Sequence, residues 1–409
     1  MNGLVFLKAH ARWLGAGLLL TFASSFGQTY FIALSGGQLR AAFGLSHGDF
    51  GSLYTVATLA SAATLVWLGP LADRMSLRRL CVLTLCGLAA ACLAMAGVAS
   101  PLMLVAVLYG LRLFGQGMLS HLAMTAMARW FSDYRGRALS IAALGFPFGE
   151  AVLPSIAVAL MAALGWRQTW LAAVGLLLLV AAPLTLRLLR HEPAPRPEAP
   201  ARPSSGGPRI DRRQWTRGEV VRDPLFYALM PGILAPSFIS TAVFFHQVYL
   251  AETKGWTLTW FAACYPIYAL ATVALSLVTG WAVDRWRTAR LLPFYLLPLT
   301  GGLLVLAWTD APAGTVAFML LAGSTSGAAS IMLGALWAEL YGTRHLGAIR
   351  ALAVAGMVFS SALGPGVMGW LIDWGVSLED QFVVMAAYTV VGASLFQLLS
   401  TRLRYLTAA

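Results

Sequence analysis

The sequence predicts an all-α polytopic membrane protein of twelve transmembrane helices, paired off as two pseudo-symmetric six-helix bundles. Three observations carry that prediction. First, 59% of the 409 residues are hydrophobic and 11% charged, where a soluble domain carries about 25% charged residues. Apolar runs of about 20 residues, enough for a ~30 Å hydrocarbon core, recur along the whole chain. Second, one stretch rich in proline, glycine and charge, 190–223, interrupts them midway. Third, a burst of charge after the second apolar run, Gly69 to Arg79 with the pattern G-x-x-x-D-R-x-x-x-R-R, returns after the eighth as Gly280 to Arg290. Gly69 and Gly280, Asp73 and Asp284, Arg74 and Arg285, and Arg79 and Arg290 each stand 211 residues apart.

In chain order the spans read as about 12–35, 50–72, 79–99, 102–128, 137–162 and 167–189, then 224–250, 258–282, 290–309, 313–337, 348–372 and 381–402. Each is expected to be a helix, because an open-ended segment in lipid satisfies its backbone polar groups in no other way. The first run follows Lys8 and Arg12, exceeds the length of a signal-peptide core and lacks a cleavage site, so it reads as a transmembrane helix. The linker holds Glu192-Pro193-Ala194-Pro195-Arg196-Pro197 and Ser204-Ser205-Gly206-Gly207-Pro208, stiff at first and looser after. It divides the chain into 1–189, 190–223 and 224–409. After Ile210 a short amphipathic surface helix is expected, with Trp215 and Val220 on one side. Further matches at 211 residues support a duplicated six-helix unit: Pro101 with Pro312, Gly136 with Gly347, Gly145 with Gly356 and Pro154 with Pro365. Parallel halves of this kind place a substrate path between them.

Charge and cysteine content close off other classes. The net charge is +12, yet every Lys and Arg except Arg40, Arg112, Arg167 and Lys254 falls in segments assigned to one side of the membrane. That asymmetry is the positive-inside signature; it argues against a nucleic-acid partner and puts both termini in the cytoplasm. Cys81, Cys86, Cys92 and Cys264 all lie in apolar spans without metal-ligand spacing or a disulfide framework. No phosphate-cradling glycine loop, zinc spacing or nucleophile constellation is present, so neither an enzyme nor an ATP-driven pump is expected, and no metal or cofactor.

The loop at Gly69–Arg79 with its echo, Arg112-Leu113-Phe114-Gly115-Gln116-Gly117 as an R-x-x-G-x-G pattern, and Gly364-Pro365 with Gly369 together resemble the major facilitator superfamily over essentially the full length. Phe26-Gly27-Gln28-Thr29-Tyr30-Phe31, Trp130-Phe131 with Arg135-Gly136, and Glu339-Leu340-Tyr341-Gly342 resemble the bacterial relatives of the monocarboxylate and oxalate:formate transporters. The resemblance implies a proton-coupled secondary transporter that moves a small organic anion by alternating access. It also implies a monomer in the bacterial inner membrane, with a small-molecule substrate, protons and the lipid bilayer as partners. One departure stands out. Those families place a basic residue in the eighth or eleventh helix, whereas 258–282 and 348–372 hold no Lys or Arg except near their ends; a carboxylate must be held differently here. The alternative is proton-driven efflux of a larger amphiphilic or drug-like compound, although the fifth span lacks the G-P-x-x-G-G run of many drug antiporters. A transport-dead sensor is a third reading, and the short loops count against it.

Among the interior charges, Arg112 and Glu150 lie deep within consecutive spans. A charge at mid-bilayer costs about 2.5–3.5 kcal/mol even on the lenient insertion scale, so each needs a partner, a wet cavity or a purpose. An Arg112–Glu150 pair between the two neighbouring helices is sterically allowed, and the sequence leaves open whether it forms. Their counterparts in the second half are Gly323 and Ser361, so the charges occur once. On the functional reading Arg112 attracts an anionic group and competes for it with Glu150, whose protonation frees Arg112. On the structural reading the pair is a static brace. Gln116 and Tyr109 share the Arg112 face, while His121 lies opposite and reads as structural. Gln28, Tyr30 and Ser324/Thr325 are cavity candidates by resemblance, since the family's first, fourth, seventh and tenth helices line its cavity. His246 reads equally as a proton carrier and as an interfacial histidine. Tyr265 and Tyr268, flanking Pro266, read as a gate or as packing. Prolines 147, 154, 231, 236, 266 and 365 fall inside spans and are expected to kink them.

The repeated loop reads as a conformational latch built from Gly69, Asp73, Arg74, Arg78, Asp284 and Arg285. Asp73 is expected at the amino end of the eleventh helix near Gly347–Arg350, and Asp284 at the fifth near Gly136–Ala138. A carboxylate at a helix amino end is worth about 0.3–1 kcal/mol, up to ~2 when partly buried.

Overall fold

A computed structural model describes residues 3–131, 134–190 and 214–408, with the backbone alone for 3, 4, 73 and 401–408. The principal helices are α1 (Gly3–Ala23), α2 (His47–Leu68), α3 (Leu77–Ala96), α4 (Pro101–Trp130), α5 (Arg135–Leu164) and α6 (Trp166–Leu188). They continue as α7 (Pro224–Phe245), α8 (Leu258–Trp286), α9 (Leu297–Trp308), α10 (Ala313–Tyr341), α11 (Leu346–Asp373) and α12 (Leu378–Ser400). Among the described residues no strand occurs, and ten helices are long and apolar enough to cross a membrane. A bent pair, Val5–Ala33 with Gly36–Phe43 turned by 61°, supplies an eleventh.

The ninth span departs from expectation. Instead of one helix over 290–309, Thr288–Leu291 is followed by a turn and then by the 12-residue α9. Pro293 and Pro298 explain it, since each lacks the N–H that a continuous helix needs. Elsewhere local chemistry sets the ends. Ser100 accepts from the Met103 N–H with Pro101 at the first helical position of α4, and Asp223 accepts from Leu225 N–H ahead of α7. The expected surface helix is the five-residue Arg217–Val221, opened by a Thr216/Glu219 capping box. Val220 is buried and Trp215 stacks edge-on against Tyr341 at 5.4 Å. The proline- and glycine-rich part of the linker, 191–213, lies outside the described residues.

The chain forms two compact units, Met1–Leu45 with Ser52–Pro203, and Ser46–Gly51 with Ser204–Ala409. In the first, α1 and α4 approach closely through glycines, and Trp170 Nε1 donates to Ser35 Oγ at 3.0 Å in the core. In the second, α8 and α10 pack backbone to backbone: a Cβ on Gly323 or Gly327 would strike the Tyr268 or Thr272 carbonyl. Thr272 Oγ1 spans this seam, donating to Tyr268 O at 2.9 Å and Gly323 O at 3.2 Å. Ser46–Gly51 joins this unit through the Asp373 carboxylate, which accepts from the N–H groups of His47 and Gly48 at 3.0 and 2.8 Å.

Candidate functional site

The first unit is built around a break in α1. Ser24 Oγ donates to the Thr21 carbonyl at 2.7 Å, a back-bond that competes with the helical ladder. The helix tightens into a 3-10 turn over Ser24–Gly27, becomes extended at Gln28 (φ −80°, ψ 150°) and resumes as Thr29–Ala33. A broken helix leaves unsatisfied carbonyls at its first half's end. The facing part of α4 is also irregular: Leu111–Leu119 is π-helical, a widened turn frequent at functional sites. The two irregular stretches meet at glycines, for a Cβ on Gly115 would lie 2.6 Å from the Gly27 Cα.

Arg112 reaches into this junction and is 4% exposed. Its Nη1 donates to the Gly27 carbonyl at 3.3 Å and to Thr29 Oγ1 at 3.4 Å. Its guanidinium carbon lies 5.2 Å from the centre of the Tyr54 ring, and the Tyr54 and Thr29 hydroxyls share a 2.6 Å hydrogen bond. The Nε of Arg112 is buried without a hydrogen-bond partner among the described residues. Among the described residues Arg112 and Glu150 form no ion pair, which answers the question the sequence left open. Arg112 is drawn instead to the carbonyl end of the broken helix, which carries partial negative charge. Glu150, half-buried on α5, makes no hydrogen bond or ion pair among the described residues and lies within electrostatic reach of the Tyr30 hydroxyl. Tyr30 is buried beside Gly149, whose backbone abuts Ser25.

The remaining expected residues distribute unevenly. Gln116 lies in the π-helical stretch with its Oε1 buried and without a partner among the described residues, and Gln28 is the extended residue of the break itself. Tyr109 turns aside to donate to Thr64 Oγ1 at 3.0 Å. His246 and Tyr268 belong to the second unit. His246 Nε2 donates to the Pro365 carbonyl of α11 at 2.9 Å, a helix-to-helix staple. Tyr268 shares a 2.7 Å hydrogen bond with Ser326. Around Gly69, His121 Nε2 donates to the Gly69 carbonyl at 3.3 Å and Arg129 Nη1 to the Ala72 carbonyl at 3.0 Å, so α4 holds the loop. His121 thus contacts the loop backbone. Arg74 is exposed and Arg78 half-buried; the Asp73 side chain lies outside the described residues, and Asp284 and Arg285 are exposed at the end of α8.

Sequence reasoning missed a second feature. A cavity of about 400 Å³ in the second unit is lined by Ser237, Ser240 and Thr241 of α7, Ser326 and Ser330 of α10, and Arg350 of α11. The three- and four-residue spacing of these hydroxyls was the available signal. On α10 the lining hydroxyls are not Ser324, which donates to the Leu320 carbonyl at 2.7 Å, nor Thr325, which is 1% exposed.

A sequence model of the Major Facilitator Superfamily matches residues 17–353. The chain belongs to the major facilitator superfamily. Among curated relatives of this superfamily member, Monocarboxylate transporter 13 of Bos taurus is 28% identical over 280 residues, 66% of this chain and 61% of that one. An uncharacterized 38 kDa protein in the 23S RNA operon of Thermoproteus tenax is 26% identical over 272 residues, 65% of this chain and 64% of that one. The chain therefore spans less than two thirds of the length of these relatives. Similar solved structures include a bacterial homolog of the human lysosomal transporter Spinster in an inward-facing, unoccupied conformation. It has a TM-score of 0.73 at 14% identity, covering 97% of this chain and 98% of that one. The nucleoside transporter NupG follows with 0.71 at 14% identity, covering 95% and 98%. The fold is thus that of major facilitator superfamily transporters, a polytopic membrane architecture.

Proposed function

We propose that this superfamily member couples protons to the movement of a small, monocarboxylate-like organic anion, with Arg112 as the anchor for its negative charge. The observation that carries the reading is a buried guanidinium without a carboxylate partner. Among the described residues its neighbours are a backbone carbonyl, a hydroxyl and an aromatic face, and its Nε is unpartnered. A charge at this depth needs a counter-ion, and an arginine fork matches a carboxylate in two parallel hydrogen bonds. The anion of the cargo supplies what Glu150 does not. This also meets the absence of a basic residue in the middle of α8 and α11. The name of the bovine relative, Monocarboxylate transporter 13, points the same way.

Glu150 then acts as a separate proton carrier rather than as a competitor for Arg112. It stands apart from Arg112, beside Tyr30, so its charge changes without breaking an ion pair. Positive charge on the connecting loops favours cytoplasmic termini in a bacterial inner membrane. The test is a Glu150→Gln protein in proteoliposomes. It is expected to keep exchange of labelled lactate-like acids while losing their accumulation under an imposed pH gradient. Accumulation at the wild-type level would remove Glu150 from coupling.

A further inference from the structure

We infer that a groove between α7, α11 and α12 of the second unit binds the acyl chain of a bilayer lipid whose headgroup bears a primary ammonium. The groove encloses about 500 Å³, in the range of small-molecule sites, and its walls are apolar, with Leu234, Phe238, Val367, Leu371, Val384 and Met385 among them. It opens outward, since Val384 is 68% and Tyr388 45% exposed on helices apolar enough to cross a membrane. Exposed apolar groups there face lipid tails. From Gln381 to Tyr388 the helical rise is about 10 Å, so the groove runs from the start of α12 toward bilayer depth.

Its polar atoms select the headgroup. The hydroxyl donors around the groove are spent, and one amide N–H is used: Ser360 Oγ donates to Leu234 O at 3.3 Å, Tyr388 Oη to Pro231 O at 3.1 Å and Gln381 Nε2 to Val376 O at 3.1 Å. Acceptors remain. Gln381 is 2% exposed and its Oε1 has no partner among the described residues. The exposed Asp380 carboxylate beside it lines the same groove and, among the described residues, accepts a side-chain hydrogen bond only from the Ser377 hydroxyl, at 2.7 Å. Among the described residues no lysine or arginine lines the groove. A buried acceptor left unmatched is costly, so the ligand must bring N–H donors and positive charge on an apolar tail. A primary ammonium lipid has both; a quaternary ammonium head has charge without N–H, and an anionic head meets Asp380 unfavourably.

Native mass spectrometry of the full chain in detergent micelles, titrated with dioleoyl phosphatidylethanolamine, phosphatidylcholine or phosphatidylglycerol, tests this. The ethanolamine lipid is expected to be retained with roughly fivefold or greater preference, the worth of one net hydrogen bond. Gln381→Leu should bring ethanolamine and choline lipids to parity, and Val384→Trp, which fills the groove, should remove the bound lipid. Equal retention of the two lipids by the wild type, or an undiminished preference in both variants, overturns the assignment. So does tighter retention of dodecylamine than of any lipid, which would make the site one for soluble amphiphiles. None of these outcomes depends on Arg112, Glu150 or transport.

Discussion

Arg112 and Glu150 were legible as exceptional because charges inside apolar spans are rare and costly; their relationship was not. Helical spacing assigns faces but cannot show that the preceding helix breaks and presents a carbonyl. The Gly27 oxygen therefore takes the place that Glu150 would hold in an ion pair. The consequence is a sharper requirement at the residue scale. Arg112→Lys keeps the charge and loses the planar fork, so it is expected to raise the KM for a carboxylate substrate at least tenfold with the protein still folded. An unchanged KM, read from initial uptake rates, would mean that a point charge suffices. Lys254 offers a second test at this scale. Its ammonium, in a side chain 2% exposed, sits 2.8 Å from Asp310 and 2.7 Å from Glu379. Burial disfavours the charged form, yet the hydrogen bonds and charges of the two carboxylates outweigh it and the pKa is raised. The sign follows from linkage: the stabilisation is full below the unfolded lysine value of about 10.4 and is lost as pH rises through the higher folded one. Lys254→Met should therefore lower Tm at pH 7 to 9, with the difference from wild type narrowing at still higher pH.

At the scale of elements the site depends on two irregular helices fitting each other. The Phe26-Gly27-Gln28 and R-x-x-G-x-G segments stood out in the sequence, but periodicity cannot distinguish a π-helical stretch from an α-helical one. The glycines record the fit. An added methyl on Gly27 or Gly115 would press on the backbone of the other helix, and overpacking of this kind costs roughly 1–3 kcal/mol. Gly115→Ala is thus expected to lower the unfolding midpoint in detergent and to weaken transport together. Gly15→Ala, where a Cβ meets nothing within 4 Å, should change neither. The ninth span shows the converse limit. Hydropathy extended across Pro293 and Pro298, which the helix itself could not cross intact.

At the scale of the whole molecule the duplication was the most legible feature. α4 and α10 end at Trp130 and Tyr341, and α5 and α11 begin at Arg135 and Leu346, both pairs 211 residues apart. Fold and family followed from that regularity, while the site lies where the halves differ. Arg112 and Glu150 have Gly323 and Ser361 as counterparts, and the second unit offers a hydroxyl-lined cavity instead. Duplication explains a shared scaffold; it carries no information about charges that only one copy holds. The same asymmetry makes the central claim, that the cargo is the counter-ion of Arg112, directly measurable. Proteoliposomes holding wild-type or Arg112→Gln protein are given labelled lactate or its neutral amide under an imposed pH gradient. The wild type is expected to accumulate the acid and not the amide, and Arg112→Gln neither. Equal accumulation of the acid by both proteins, or of acid and amide by the wild type, would contradict it.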